Sequence, residues 1–246
     1  GEVILRTTGN HQLPGYAEKY LGKWGKRIAV FALLFGIYGA LIAYLIGEGQ
    51  ALSMIFGLDP IIFSLLFFIL VSAIVFKGLE AISKSEIYFL SIVLLLVIII
   101  STIAISSAKF NLDNLTTFNI YNIVIPFGVI LFAFRGIEAI PEMREYLIRD
   151  RKKLKKAIIL GSLIPLFAYI IFSFATLGIT GLNTTEIVTM GLGNSLGEGM
   201  IILGSLFAIF AMLSSFLTLA LAMKEIYMFD YKLSPNKSWA LTMFVP

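Results

Sequence analysis

Long runs of apolar residues alternate with short polar segments along almost the whole chain. A helix that crosses a membrane needs about 20 consecutive, mostly apolar residues. The runs therefore predict an all-α membrane protein, a polytopic helical bundle forming a single transmembrane domain over residues 1–246. The predicted spans cover roughly residues 28–47, 55–79, 87–108, 121–148, 157–179 and 199–224, and another begins at 239.

The fourth predicted span, residues 121–148, has a pattern that does not suit a continuous helix facing lipid. Arg135 stands in its middle beside Gly136, with Pro126 before it and Pro141 after it. A charge at the bilayer centre costs roughly 2.5–3.5 kcal/mol on insertion scales. Non-helical backbone is tolerated at this depth only where it faces protein or water. We therefore predict a helix interrupted near its centre, as in the binding sites of many transporters.

The basic residues are concentrated on one side of the predicted membrane. Of the 19 Lys and Arg residues, all except Lys109 and Arg135 lie before the first span, or at the end of or after the second, fourth or sixth. Cytoplasmic loops carry such an excess, which places these segments in the cytoplasm of a multi-pass cell-membrane protein. The basic run at 149–156 follows the same bias, so we interpret it as a topology signal rather than a nucleic-acid or anionic-lipid patch. The predicted partner is the lipid bilayer, with no nucleic acid.

The composition argues against an enzyme. Hydrophobic residues make up 59% of the chain and charged residues 14%, whereas soluble domains are roughly 45–50% apolar and 25% charged. The chain has no cysteine and one histidine, His11, so cysteine chemistry and histidine clusters are excluded. The sequence contains no paired-carboxylate motif and no nucleophile with a nearby base. No cofactor is predicted apart from a coupling ion, and both ends look like cuts through a longer protein.

Two readings of Arg135 remain open. Glu138 follows it by three residues and Glu142 follows Glu138 by four, so the three side chains could share one helical face. Arg135 then either forms an internal salt bridge or meets a substrate carboxylate or gating partner. The neighbouring Phe132, Ala133, Phe134 and Gly136 would line the cavity at the break.

The sixth span contains a candidate sodium site. Two hydroxyls, of Ser214 and Ser215, and the carbonyl of Ala211 lie within about one helical turn. Hard cations prefer such oxygen ligands. The alternative is that each serine simply bonds the carbonyl four residues before it.

These segments resemble a known family. FGVILFAFRGIEAIPEM is similar to the interrupted sixth helix of amino-acid permeases of the aromatic/hydroxy amino acid and amino acid/auxin type. FAMLSSFLTLALAMKEIYMFDY is similar to their eighth helix, and LPGYAEKYLGKWGKR to the segment before their third. This group belongs to the amino acid–polyamine–organocation superfamily, which shares the LeuT-like fold.

The resemblance implies an inverted-repeat transporter fold in which substrate lies between the first and sixth helices. This chain would hold helices three to eight and the start of the ninth, lacking the first helix and the C-terminal helices. Ala211, Ser214 and Ser215 match the family's sodium-site pattern. No lysine lies in 87–108, which argues against the variant that replaces sodium with a lysine. Arg135 stands where the family often has a small or aromatic residue, which leaves the substrate class open.

The sequence thus predicts secondary active transport of amino acids by alternating access, coupled to sodium or proton, with the oligomeric state left open. Phe132, Ala133, Phe134, Arg135 and Gly136 are the predicted substrate ligands. Tyr44 in the first predicted span is a candidate gate. The alternatives are a non-transporting membrane subunit or sensor and an ion-translocating antiporter subunit.

Overall fold

The computed structural model describes residues 3–4, 7, 12–116, 120–134, 136, 139–147, 151–185 and 188–246. All regular secondary structure in these ranges is helical. The α-helices are α1 (Leu13–Phe56), α2 (Pro60–Lys77), α3 (Leu79–Ser106), α4 (Phe127–Ala133), α5 (Ala139–Tyr146), α6 (Arg151–Thr180), α7 (Val188–Leu196), α8 (Glu198–Glu225) and α9 (Pro235–Phe244). A π-helical turn, Ile226–Asp230, follows α8 directly.

Five helices within the described ranges are long and apolar enough to cross a membrane. They correspond to α1, α2, α3, α6 and α8. Many of their large apolar side chains point outward; Phe31 and Phe35 on α1, for example, are 74% and 79% exposed. An outward apolar surface of this kind is what lipid covers in a helical membrane protein.

Helix α1 is longer than the span predicted at 28–47 and is kinked. Gly22 within it has φ 71° and ψ −168°, outside the helical region. A residue with a Cβ rarely adopts this backbone conformation, whereas glycine does so freely. The polar segment before the membrane and the apolar span are therefore two helical pieces joined at Gly22. The helix ends at Phe56 and is followed by Gly57 with a left-handed φ of 73°. The Gly57 N–H donates a hydrogen bond to the carbonyl of Ser53.

Helix α2 is shorter than the span predicted at 55–79. The Asp59 carboxylate caps its start by accepting from the Ile61 N–H at 2.8 Å, and Pro60 occupies the first turn, where a missing N–H costs nothing. Gly78, with φ 86°, separates α2 from α3. Residues before Asp59 instead finish α1 and form the connecting turn.

The fourth predicted span is interrupted, and its helical parts are shorter than expected. A 3₁₀ turn (Ile120–Asn122) and further turns precede α4, which ends at Ala133, and α5 begins at Ala139. Gly136 between them is non-helical, and its N–H bonds the carbonyl of Phe134 at 2.9 Å. The predicted break is therefore present. Arg135 and Glu138 lie outside the described residues, as does the side chain of Glu142.

Helix α8 lies at the centre of the bundle and packs against α1, α2, α3, α7 and α9. Its inner part shares one hydrophobic core with α1 and α2, in which Phe216 meets Phe67 edge to face at 5.4 Å. Its outer part shares a second core with α3, α6 and α7, centred on Ile100 and Leu192. Burial on both sides fixes the rotation of α8 and so the direction of its hydroxyl side chains.

Candidate functional site

A cavity of about 340 Å³ lies where α1, α4, α6 and α8 meet, at the end of the broken helix. This volume is within the range of roughly 300–1,000 Å³ for small-molecule sites. Its lining combines apolar side chains with hydroxyl groups. The lining residues are Gly36, Ile37, Tyr44, Phe132, Ala133, Tyr169, Ser214, Ser215, Thr218 and Leu219.

Tyr169 on α6 holds the end of the interrupted helix. Its hydroxyl donates to the backbone carbonyl of Ala133 at 3.3 Å, and its ring meets that of Phe134 edge to face at 5.6 Å. Carbonyls in the last turn of a helix lack intrahelical partners. The phenol therefore satisfies one of the groups that the break exposes and positions that end of α4 beside the cavity.

The polar wall of the cavity comes from α8. Ser214 and Thr218 are one turn apart and share a face, with Ser215 beside them. The Thr218 hydroxyl is within hydrogen-bonding distance of the Ser214 carbonyl, at 3.1 Å. The buried apolar neighbours Leu213, Phe216 and Leu217 face the core instead, so the hydroxyls turn toward the cavity.

Glu86 on α3 stands behind this wall. Its carboxylate accepts a hydrogen bond from the Ser214 hydroxyl at 2.6 Å and another from the Thr218 hydroxyl at 2.7 Å. Both distances are within the usual range for O–H···O hydrogen bonds. Glu86 is partly buried, and it is the first residue of the apolar part of α3. The Glu86 carboxylate is thus separated from the cavity by the Ser214 and Thr218 hydroxyls that it contacts.

Five predicted site residues meet at this cavity: Tyr44, Phe132, Ala133, Ser214 and Ser215. Their binding roles stay predictions.

Three other predicted residues that the structure describes, Phe134, Gly136 and Ala211, are not among the lining residues. The Phe134 ring packs against that of Tyr169, which does line the cavity. Gly136 is exposed, and Ala211, the third member of the candidate sodium site, lies about one turn before Ser214 on α8, outside the lining. The Ser214 hydroxyl donates to Glu86. Arg135, the remaining predicted ligand, lies outside the described residues.

Three polar residues in or directly behind the described cavity wall were not predicted: Tyr169, Thr218 and Glu86. Thr218 could have been predicted, because it is a second hydroxyl residue four positions after Ser214 on the same helix. Tyr169 is a hydroxyl-bearing aromatic residue in the middle of an otherwise apolar run, but such residues are common. Glu86 falls one residue before the span predicted at 87–108 and so resembles a loop residue.

A second polar network anchors the N-terminal segment at the end of the bundle that the basic residues predict to be cytoplasmic. Arg144 on α5 donates to the Tyr16 hydroxyl at 2.7 Å and to the Thr7 carbonyl at 2.6 Å. The Gly15 N–H donates to the carboxylate of Asp230 at 3.1 Å, and the Gln12 amide donates to the carboxylate of Glu225 at the end of α8. The segment before the Gly22 kink thus joins α5 to the end of α8. We call these contacts the inner latch.

The chain is similar to known permeases and transport proteins. The chain matches the tryptophan/tyrosine permease family over residues 1–246. It is 28% identical over 173 residues to tyrosine-specific transport system 1 of Haemophilus influenzae, covering 68% of this chain and 42% of that protein. It is 29% identical over 224 residues to glutamine transporter 2 of Aliivibrio fischeri, covering 84% and 56%. It is also 29% identical over 257 residues to tyrosine-specific transport system 2 of Haemophilus influenzae, covering 94% and 62%.

The chain spans about half the length of these curated relatives. No solved structure matches it significantly. The family match, together with the five apolar helices, indicates a membrane protein. Because the match covers the whole sequence, the chain belongs to the tryptophan/tyrosine permease family.

Proposed function

We propose that this chain is the substrate-binding part of a secondary active transporter that carries aromatic amino acids across the cell membrane. The observation that carries the proposal is the cavity at the break between α4 and α5, walled by α1, α6 and α8. The family and two relatives named as tyrosine transport systems favour an aromatic substrate.

The lining of the cavity suits an amphipathic solute. Phe132, Ile37 and Leu219 offer apolar surface for a side chain. The hydroxyls of Tyr44, Tyr169 and Ser215 offer donors and acceptors for an ammonium and a carboxylate. A small number of polar groups on a mainly apolar wall is the usual design of a small-molecule site.

The proposal includes a LeuT-like architecture. In that architecture the same arrangement allows alternating access. Helices α4 and α5 meet at a non-helical segment, so each half can tilt separately. Helix α8 is packed on several sides and serves as the fixed element. The inner latch closes the cytoplasmic path when formed, and its opening releases substrate inward. A transmembrane cation gradient, of sodium or protons, drives the cycle.

The test is uptake by the intact protein in sealed lipid vesicles. Radiolabelled tyrosine should enter saturably, and unlabelled tyrosine or tryptophan should compete better than glutamine. Competition mainly by glutamine would contradict the aromatic assignment. Binding of labelled tyrosine without any uptake would instead indicate a non-transporting sensor.

A further inference from the structure

We propose that Glu48 on α1 is the proton-binding group that couples transport to a pH gradient. This inference rests on the proposed transport function and specifies its coupling ion. Glu48 is only 2% exposed, although it lies in an apolar helix long enough to cross the membrane. It is neither a lining residue of the cavity nor a member of the inner latch. Ionisable residues inside a membrane are costly and usually mark a functional site.

Two glycines flank Glu48 and let the neighbouring helices approach it closely. A Cβ at Gly47 would lie 2.7 Å from the sulfur of Met212 on α8. A Cβ at Gly49 would lie 2.5 Å from the backbone carbonyl of Pro60 on α2. Any larger residue at either position would push one of these helices away from α1. The Gly-Glu-Gly sequence therefore buries the acid at the place where α1 packs most tightly against α2 and α8.

The carboxyl group of Glu48 has an oxygen without a hydrogen-bond partner. Its Oε2 atom is buried and forms no hydrogen bond to any residue that the structure describes. Burying an ionised carboxylate without a partner costs far more than burying the neutral acid, so such a group takes up a proton instead. The closely packed arrangement therefore suits protonated Glu48, and the ionised form requires that water reach the carboxylate.

The charged groups of α2 and α8, the two helices that pack most extensively on α1, are engaged elsewhere. At the predicted outer end, Asp59 caps the start of α2 and Glu198 is exposed in the first turn of α8. At the opposite end, Lys77 is the last residue of α2, and Lys224 donates to two carbonyls in the last turn of that helix. Glu225 belongs to the inner latch. In the described ranges of these helices, no cation lies beside the buried acid to stabilise its charge.

The groups on α1 itself and on the π-helical turn also leave Glu48 isolated. Glu48 is the only charged side chain from Ile28 to the end of α1. Tyr44, one turn before it, lines the cavity. On the π-helical turn, Asp230 is bonded to the N-terminal segment and Tyr227 to another tyrosine of α1. A change in the charge of this region therefore depends on Glu48.

The position of Glu48 along α1 lies between the cavity and the predicted outer side. It follows the cavity residue Tyr44 by about 6 Å along the helix axis, and α1 ends at Phe56, about 12 Å further on. A proton from the outer solution thus reaches Glu48 without passing the cavity once the helices separate at their outer ends.

Proton binding is coupled to transport through this packing. In the separated arrangement, a hydronium ion gives a proton to the Glu48 carboxylate, an O–H bond forms and a water molecule is left. The neutral acid then allows α1 to close against α2 and α8 beside a bound amino acid. When the helices separate again on the cytoplasmic side of the cycle, the acid returns its proton to water and is ionised. Each closure over substrate therefore carries one proton.

The experiment compares Glu48→Gln with wild type and with Glu198→Gln, which changes an exposed acid on α8. The intact proteins are placed in sodium-free vesicles with a pH gradient, and labelled tyrosine and proton flux are followed together. We expect wild type and Glu198→Gln to move protons with tyrosine. Glutamine resembles the protonated acid, so Glu48→Gln should bind tyrosine with an affinity that no longer varies with pH. Its coupled proton flux should fall at least about tenfold, within the range usual for coupling between two sites.

Two results would overturn the proposal: full coupled proton flux in Glu48→Gln, or tyrosine uptake by wild type that needs sodium at a clamped pH. Absence of any amino-acid transport by wild type would refute the proposed function instead.

Chemical labelling of wild type tests Glu48 even if transport is absent or Glu48→Gln fails to fold. A hydrophobic carbodiimide reacts with protonated carboxyl groups in apolar surroundings, and the modified residue is located by mass spectrometry. We expect modification of Glu48 in the intact protein at mildly acidic pH, several-fold less of it at alkaline pH, and little modification of the exposed Glu198. Equal modification of Glu48 at both pH values, or none at either, would contradict proton binding there.

Discussion

The hydroxyl of Tyr169 on α6 donates to the backbone carbonyl of Ala133, the last residue of α4, across 3.3 Å. This bond joins a continuous helix to the end of a broken one, beside the cavity that both line. The binding properties of the cavity therefore depend on how firmly α6 holds the end of α4.

Tyr169→Phe tests this contact. The ring contact with Phe134 is retained, but the bond to the Ala133 carbonyl is lost. A typical hydrogen bond contributes about 0.5–1.5 kcal/mol, so we expect tyrosine to bind the purified protein roughly 2- to 10-fold more weakly. Tyr88→Phe, at an exposed position on α3, is the matched control and should bind normally. Equal affinities in the two variants would contradict a role for the bond.

Gly136→Ala tests the need for an interrupted helix. A Cβ at Gly136 meets nothing within 4 Å, so the change introduces no clash. Alanine favours helix by about 1 kcal/mol over glycine, which promotes a continuous helix through the break. We expect the initial rate of tyrosine uptake to fall several-fold.

Gly128→Ala is the control for the Gly136 change. Gly128 lies within α4 and also has open space around it, so alanine there supports the existing helix without closing the break. Its uptake should match wild type. Normal uptake by Gly136→Ala would remove the argument that the break is required.

Gly22→Ala tests the kink in α1. With φ 71° and ψ −168°, this position suits glycine alone, and strain of this kind costs about 1–3 kcal/mol. We expect a lower midpoint of thermal inactivation in detergent. Gly39→Ala on the same helix, where the added Cβ also meets open space, should have little effect. Similar midpoints for both variants would show that the kink is not strained by a side chain.

Tyr16→Phe tests the inner latch. The variant loses the hydroxyl that accepts from Arg144, which loosens the N-terminal segment from α5. The chain has no cysteine, so a thiol introduced by Leu219→Cys reports on the cavity without interference from other thiols in this sequence. We expect a reagent added from the cytoplasmic side to label it faster in the Tyr16→Phe background. Tyr88→Phe, at an exposed ring on α3, is the comparison and should leave the rate unchanged. A labelling rate unchanged by Tyr16→Phe would argue against a closed inner path.

Much of this arrangement could be predicted from local sequence. The break near Gly136 could be predicted because one apolar run contains a cation, glycines and prolines. Each of these residues affects the chain locally. The clustering of Ser214 and Ser215 at the cavity follows from their helical spacing.

Other features depend on packing, which local sequence does not specify. In the sequence, Gly22 resembles any glycine within a helical pattern, whereas in the fold it has φ 71° and the segment before it is bonded to Asp230 through the Gly15 N–H. Glu86 reaches Ser214 only because α3 and α8 adopt a particular mutual rotation. The length of the apolar run placed Glu86 just outside the predicted span, so its contact with the cavity wall was not predicted.

Protection of a single thiol by substrate tests the central claim most directly. Phe132→Cys places a thiol in the cavity lining at the end of α4, and Phe127→Cys places one at the exposed start of the same helix. The intact protein in vesicles is treated with a thiol reagent with and without tyrosine. The account predicts that tyrosine slows labelling after Phe132→Cys and leaves labelling after Phe127→Cys unchanged. Equal labelling of Phe132→Cys with and without tyrosine, in protein that still transports it, would contradict a substrate site at the helix break.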